Sequence, residues 1–80
     1  MKKTTPEQQL RTITAENVRV ERVRRGWSQE QLAEKAGLHR NYVGAIERAE
    51  VNFGIDFLAR IANAMQMPAY SMLQELKRSS

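Results

Sequence analysis

Apolar side chains recur along this chain at intervals of three and four residues, the spacing that places them on one face of an α-helix. They nowhere alternate with polar residues at period two, so the sequence predicts no strands. The pattern divides the chain into five predicted helices, covering about residues 14–25, 28–36, 39–48 and 55–66, with a fifth that Pro68 opens. The predicted fold class is therefore all-α, a compact five-helix domain.

Residues that typically begin and end helices support these boundaries. Thr14 can cap the first helix, and Gly26 ends it. Ser28 and Gln31 have the spacing of a capping box, in which each side chain accepts a hydrogen bond from the other residue's backbone N–H. Gly37 supplies the left-handed conformation that ends the second helix. The second helix is therefore barely two turns long, and the third follows almost at once.

Residues 1–13 lack this periodicity and are rich in lysine, threonine and glutamine. They are predicted to form a flexible N-terminal arm, with a fraying helical start as the alternative. Residues 14–78 are predicted to form a single folded domain. No repeat, low-complexity block or second domain interrupts this segment.

The second and third predicted helices have the arrangement of a helix-turn-helix. They are short, joined by a glycine turn, and too close together in sequence to lie antiparallel. Ala33 is small where the two helices must cross, Gly37 can take a positive φ, and Leu38 can reach the core. The third helix, from about His39 to Arg48, is thus predicted to be a recognition helix that lies in the major groove of DNA.

This third helix separates an apolar face from a polar one. At about 100° per residue, Val43 and Ile46 point to one side. The opposite side carries Arg40, Asn41, Gly44, Ala45 and Arg48. Glycine in the middle of an exposed helix costs about 1 kcal/mol relative to alanine, so its presence indicates close approach to another molecule. Arginine pairs bidentately with guanine and asparagine with adenine, so this face is predicted to read bases.

The composition of the chain indicates which partners and which kinds of site are expected. The 80 residues carry a net charge of +4, which suits a polyanionic partner, and contain no cysteine for disulfides or thiolate metal sites. No apolar run approaches the roughly 20 residues of a membrane span. The opening Met-Lys-Lys is not followed by the apolar stretch of a secretory signal. No membrane association is expected, and the expected location is the cytoplasm, on the nucleoid.

The sequence offers no sign of catalysis. The chain has one histidine, His39, without clustered carboxylates at ligand spacing, so no metal is expected. It lacks a glycine-rich phosphate loop and a Ser/His/acid set in a plausible pocket. The chain is therefore predicted not to be an enzyme and to use no cofactor.

The tract from Gly26 to Ala33, followed by Ala36-Gly37-Leu38 and Ile46-Glu47-Arg48, resembles the lambda Cro/repressor family of helix-turn-helix regulators, also called the Xre family. The likeness covers about Val18 to Leu73. The tract from Gly37 to Gly44 is especially similar to the controller proteins of restriction–modification systems, which are minimal homodimeric regulators of about this length. The resemblance implies a lambda-repressor-like fold with the helix-turn-helix in helices two and three.

The resemblance also implies roles for individual residues. Those expected to read bases are His39, Arg40, Asn41, Tyr42 and Ala45. Those expected to contact the DNA backbone are Ser28, Gln29, Arg48 and Asn52. In addition, Arg22 and Glu47 are expected to form a structural ion pair that joins the first helix to the recognition helix.

One domain offers too few base contacts to specify a genomic site, so a homodimer on a symmetric operator with half-sites about 34 Å apart is expected. Because the second and third helices are expected to contact DNA, the apolar, methionine-rich fourth and fifth helices are the expected interface between the two protomers. The candidate interface residues are Met65, Met67, Tyr70, Met72, Leu73 and Leu76. The alternative is that Leu73 and Leu76 close the core of the monomer.

These features together predict a sequence-specific transcription regulator that binds double-stranded DNA as a homodimer, with RNA polymerase as a further candidate partner. The leading interpretation is a controller protein of a restriction–modification system. A phage-type repressor and a toxin–antitoxin regulator remain alternatives. Activation or repression depends on where the operator lies relative to a promoter.

A second class of function also stays open. After Ile46-Glu47-Arg48 the family usually continues Gly-x-Arg-x-Pro, whereas this chain continues from Ala49 through Glu50 and Val51. Val51 stands where the family usually has an arginine, and Glu50 adds a negative charge beside it. Both changes weaken the expected contacts with the DNA backbone. They favour, as the alternative, a helical protein-interaction module that has lost DNA binding.

Overall fold

The structure is a computed structural model in which residues 4–50 and 52–75 are described. These residues contain no strand, and their helical elements are α1 (Pro6–Arg24), α2 (Gln29–Ala36), α3 (Arg40–Glu47), α4 (Ile55–Ala64) and a 3-10 helix (Ala69–Leu73). The all-α class is confirmed. The described part of the chain has no helix long and apolar enough to cross a membrane.

The expected fifth α-helix is wrong, because Pro68 leads into only a single 3-10 turn. Its end is held by Asn17 of α1, whose buried amide Nδ2 donates to the carbonyl of Met72 at 2.6 Å and to that of Gln74 at 2.8 Å. In an α-helix these carbonyls would accept hydrogen bonds from N–H groups four residues later in the same segment. Here they accept from a side chain of α1 instead.

α1 begins well before the predicted start, so the flexible arm is wrong for residues 6–13. The Thr5 side chain accepts a hydrogen bond from Gln8 N at 3.1 Å, and the Gln8 side chain accepts one from Thr5 N at 3.3 Å. This capping box is followed by Pro6 at the first helical position, where proline is favoured. Thr14, the expected cap, is instead fully buried in the middle of α1. Residues 1–3 of the predicted arm lie outside the described residues.

The predicted ends of α2 are confirmed. Ser28 Oγ accepts from Gln31 N at 3.0 Å, and the Gln31 side chain accepts from Ser28 N at 2.7 Å. Gly37 ends α2 in the left-handed conformation, with φ of 70°. The N–H of Leu38 then bonds the carbonyl of Ala33 at 2.8 Å, which closes the turn between α2 and α3.

The core lies between the apolar faces of the four α-helices and is closed at one end by the 3-10 turn. Its largest fully buried apolar side chains are Val18, Leu32, Val43, Ile46, Ile61, Met65 and Met72. The assignment of Met65 and Met72 to a dimer interface is therefore wrong. Because the 3-10 turn folds back over α1 and α4, these two side chains fill the core of the single protomer and expose no surface to a partner.

The other residues predicted for the interface differ in exposure. Met67 is partly buried and packs against the core. Tyr70 is 67% exposed and Leu73 is 40% exposed, so both can contact a partner. Leu76 lies outside the described residues.

Candidate nucleic-acid interface

The N-terminal end of α3 presents three of the residues predicted to read bases. His39 is the N-cap, and its Nδ1 accepts a hydrogen bond from Asn41 N at 3.1 Å. His39 is exposed. Arg40 and Asn41 follow in the first turn with exposed side chains. Because the histidine satisfies an N–H of the helix, it can replace the serine or threonine that is usual at this position.

Tyr42 and Ala45, the other two residues expected to read bases, are only partly exposed. The ring of Tyr42 packs on Phe57 of α4, with 4.7 Å between the ring centroids and 52° between the planes. Burial raises the pKa of the Tyr42 phenol, so the hydroxyl remains a hydrogen-bond donor at neutral pH. Ala45 is half-buried. Tyr42 thus lies at the edge between α3 and α4, where its ring supports the recognition helix.

Gly44 is buried, so the expectation that it lies on the exposed face of the third helix is wrong. A Cβ at this position would lie 3.1 Å from Arg48 Nη1 and 3.3 Å from Gln29 Oε1, closer than nearly all real Cβ contacts. The glycine therefore allows the start of α2 to pack closely against α3. Its small size serves a contact within the protein.

The predicted ion pair between Arg22 and Glu47 is present and has two points of contact. Arg22 Nε lies 2.6 Å from Glu47 Oε2, and Arg22 Nη2 lies 3.0 Å from Oε1. The hydrogen bonds that Arg22 donates to Glu47 raise the pKa of the Arg22 guanidinium, which therefore stays charged. Arg22 Nη1 also donates to the carbonyl of Trp27 at 2.7 Å. The pair joins α1, the start of α2 and the end of α3.

Two of the residues expected to contact the DNA backbone, Ser28 and Gln29, lie at the start of α2. Gln29 stands beside Gly44 and Arg48 and donates from Nε2 to Glu47 Oε1 at 3.0 Å, so this side chain is already fixed in place. Ser28 uses its hydroxyl to cap α2 and is exposed. The sequence predicted the capping bond of Ser28 but not the bond from Gln29 to Glu47.

Arg48 and Asn52 also have partners within the protein. Arg48 Nε lies 3.1 Å from Glu50 Oε1, and both side chains are more than half exposed. Asn52 Oδ1 accepts a hydrogen bond from Arg11 Nη1 at 2.6 Å. Sequence reasoning missed Arg11, because residues 1–13 were assigned to an arm. The Thr5–Gln8 capping box was the signal that could have placed it on a helix.

The contacts bring most of the predicted site residues together. The start of α2 lies along α3, from Glu30 near Arg40, at 3.9 Å, to Gln29 near Arg48. Asn52 stands apart from this set, next to α1. No group of three or more His, Cys, Asp or Glu side chains in the described part of the chain is placed to hold a metal ion. The exposed side chains of Arg40, Asn41 and Arg48 offer hydrogen-bond donors and positive charge, as a nucleic-acid interface requires.

Comparison with known proteins supports this assignment. Residues 18–70 match the helix-turn-helix family HTH_3. A hypothetical transcription factor of Neisseria meningitidis is 45% identical over 67 residues, which are 84% of this chain and 63% of that protein. This chain therefore spans slightly less than two thirds of that relative's length. Control protein C.SmaI of Serratia marcescens is 44% identical over 64 residues, which are 80% of this chain and 76% of that protein.

The fold also matches solved structures. The restriction–modification controller protein C.AhdI from Aeromonas hydrophila superposes with a TM-score of 0.75 and 31% sequence identity, over 78% of this chain and 94% of that one. These matches confirm the resemblance to Xre-type helix-turn-helix regulators and to controller proteins that was drawn from the sequence motifs.

Proposed function

Because the chain belongs to the helix-turn-helix family HTH_3, we propose that it is a sequence-specific transcription regulator that binds double-stranded DNA through α3. The observation that carries this proposal is the pair of exposed side chains Arg40 and Asn41 at the N-terminal end of α3, beside the start of α2. In a helix-turn-helix, residues at this end of the recognition helix reach the base edges in the major groove.

The chemistry of the surrounding residues agrees with two separate roles, base reading and phosphate contact. Arg40 offers two parallel N–H donors to a guanine, and Asn41 offers a donor and an acceptor to an adenine. Arg48 is the C-cap of α3, Gln29 at the start of α2 lies beside it, and Ser28 caps α2. In that position they contact phosphates and set the position of α3 without reading the sequence.

A homodimer is part of the proposal, with a revised interface. Leu10 of α1, Ile55 at the start of α4 and Leu73 of the 3-10 turn are 47%, 82% and 40% exposed and line one apolar groove of about 410 Å³. Such a concentration of exposed apolar surface on a small domain marks an interaction site. A second copy of the chain packs on these three apolar side chains, because only two recognition helices supply enough base contacts to specify a site.

Sedimentation at rising protein concentration tests the dimer. Ile55→Glu places a charge in the groove and is expected to give a 9.2 kDa monomer, whereas the wild type becomes a dimer. Val23→Glu is the matched control, because Val23 is also exposed, at 56%, but is not among the residues that line the groove. A wild type that stays monomeric at high micromolar concentration, or equal effects of the two variants, contradicts this interface.

The biological role that we propose is that of a controller protein of a restriction–modification system. Its support is the similarity to two controller proteins, C.SmaI and C.AhdI. A phage-type repressor and a toxin–antitoxin regulator use the same domain. The neighbouring genes separate these roles: a methyltransferase and an endonuclease indicate a controller, and a toxin gene indicates an antitoxin. Contact with RNA polymerase and a cytoplasmic location stay predictions.

Selection of bound duplexes from a random DNA pool tests the function itself. We expect enrichment of a symmetric sequence whose affinity falls steeply with salt concentration. A pool without enrichment, together with no salt-dependent binding, would contradict the proposal. That result would favour the alternative of a protein-interaction module, for which the ion pair between Glu50 and Arg48 is the supporting observation.

A further inference from the structure

Arg11 in the N-terminal half of α1 reaches the loop that follows α3. Its Nη1 donates to Asn52 Oδ1 at 2.6 Å, across 41 residues of sequence. The contact exists because α1 starts at Pro6, which makes Arg11 part of a regular helix that passes beside the loop. It brings a cation from α1 next to a residue expected to touch the DNA backbone.

The bond determines which end of the Asn52 amide is free. A guanidinium carries five N–H donors and no acceptor, so it can only meet the oxygen of the amide. The NH2 end of Asn52 is therefore the end left for another molecule. Arg11 and Asn52 together present N–H groups and a positive charge, which is the chemistry that binds an anionic oxygen.

The start of α4 adds donors of the same kind nearby. Gly54 is the N-cap of this ten-residue helix and provides no side-chain hydrogen bond to its first N–H groups. The partial positive charge of the helix N-terminus lies there as well. Two acidic residues belong to this region: Glu7, which lines the same groove as Arg11 and Asn52, and Asp56 in the first turn of α4.

From this arrangement we infer that Arg11 and Asn52 form a binding site for a phosphate of the DNA backbone. The inference rests on the proposed function, and it makes α1 a third DNA-contacting element beside α2 and α3. A phosphate oxygen accepts from the guanidinium and from the amide NH2 together. Each protomer of the dimer carries one such site, outside the helix-turn-helix.

Replacement of Arg11 by glutamine tests the site, and Arg19→Gln is the matched control. Arg19 lies exposed on the same helix, and its loss changes the net charge equally. The probes are a duplex selected from the random pool and a scrambled duplex of equal length, titrated by fluorescence anisotropy at several salt concentrations. Arg11→Gln is expected to weaken binding to both duplexes by about tenfold or more, the usual effect of losing a charged hydrogen bond.

The salt dependence gives a second readout. Loss of one phosphate contact per protomer should lower the slope of log K against log salt by about 0.9 for each protomer. Arg19→Gln should leave the slope close to that of the wild type. Equal effects of the two variants on affinity and slope would overturn the inference. Wild-type protein that binds neither duplex contradicts the proposed function instead, so the two failures can be distinguished.

Asn52→Asp separates a phosphate site from a purely structural bond. The carboxylate still accepts from Arg11, so the melting temperature should stay at or above that of the wild type. Its negative charge repels phosphate, so the affinity for both duplexes should fall. Unchanged affinity in Asn52→Asp, with the fold intact by circular dichroism, would show that the bond only holds the loop and would overturn the inference.

Discussion

Arg22 and Glu47 form an ion pair with two contacts, of 2.6 Å and 3.0 Å, that fastens α1 to the end of the recognition helix α3. The Glu47 side chain is only 4% exposed and also accepts a hydrogen bond from Gln29. One carboxylate therefore determines how three elements lie relative to one another. Since α3 carries Arg40 and Asn41, this pair also controls the angle at which they are presented to DNA.

Loss of the carboxylate is expected to destabilise the domain strongly. Glu47→Ala leaves the Arg22 guanidinium, whose side chain is 13% exposed, without its counter-ion, and a stranded buried charge costs about 3–5 kcal/mol. The free energy of unfolding in urea measures the effect. Arg24→Ala is the control, because the Arg24 side chain is 70% exposed and Glu21 keeps its pair with Arg25, so the loss should be less than about 1 kcal/mol. Equal losses in the two variants would contradict a structural role for Glu47.

Arg40 and Asn41 are expected to read bases. Arg40→Ala and Asn41→Ala should each weaken binding to the selected duplex by about 1–3 kcal/mol and leave binding to a scrambled duplex nearly unchanged. The helix cap survives in both variants, because His39 bonds the backbone N–H of Asn41 and not its side chain. Competition binding with both duplexes measures the difference. Equal losses on the two duplexes would remove these residues from the base-reading set.

Arg48 is expected to contact phosphate. Arg48→Ala should lower the affinity for all sequences and reduce the salt slope by about one unit per half-site. Its side chain is 59% exposed, so the stability of the fold should change little. The measurement is anisotropy at several salt concentrations on both duplexes. An unchanged slope with an altered base preference would assign Arg48 to base reading instead.

Glu50 is expected to weaken DNA binding. Its carboxylate lies 3.1 Å from Arg48 Nε and competes with phosphate for the same donor. Glu50→Gln removes this competition and a charge that repels the DNA backbone, so it should tighten binding on both duplexes. The same substitution made in the Arg48→Ala variant is the control and should have a smaller effect. A gain of equal size in both backgrounds would show that Glu50 does not act through Arg48.

Ala49 lies in the left-handed region, with φ of 59°, directly after the end of α3. A residue with a Cβ pays about 1–2 kcal/mol in this conformation, and glycine avoids that cost. Part of the gain is lost because glycine has more conformational freedom in the unfolded chain. We therefore expect Ala49→Gly to stabilise the domain by roughly 0.5–1 kcal/mol. Each kcal/mol raises the melting temperature by about 4–8 °C at this size.

Ala59→Gly is the matched control for this prediction. Ala59 is exposed within α4, where glycine costs about 1 kcal/mol. The two substitutions are chemically identical and should shift the melting temperature in opposite directions. A fall in both variants would contradict the strain assigned to Ala49.

Much of the helix-turn-helix could be predicted from the sequence, because short-range chemistry determines it. The box of Ser28 and Gln31 begins α2, and Gly37 ends it, through bonds between residues no more than five apart. The start of α1 was also encoded locally, by Thr5, Pro6 and Gln8, but the polar composition around them was mistaken for a flexible arm. The pair of Arg22 and Glu47 came from family resemblance and not from periodicity.

The tertiary structure alone decided which apolar and polar groups meet. Helical spacing marks Met65 and Met72 as apolar, but their burial follows from a turn that Asn17 holds against α1, 55 residues away from Met72. The side chains of Gln29 and Arg48 cover Gly44, and Arg11 reaches Asn52 only once the whole domain is assembled. Hydrogen bonds within one turn depend on local conformation, which the residue types largely determine. Contacts between distant segments depend on how the helices pack, and periodicity along a single helix contains no information about what covers its surface.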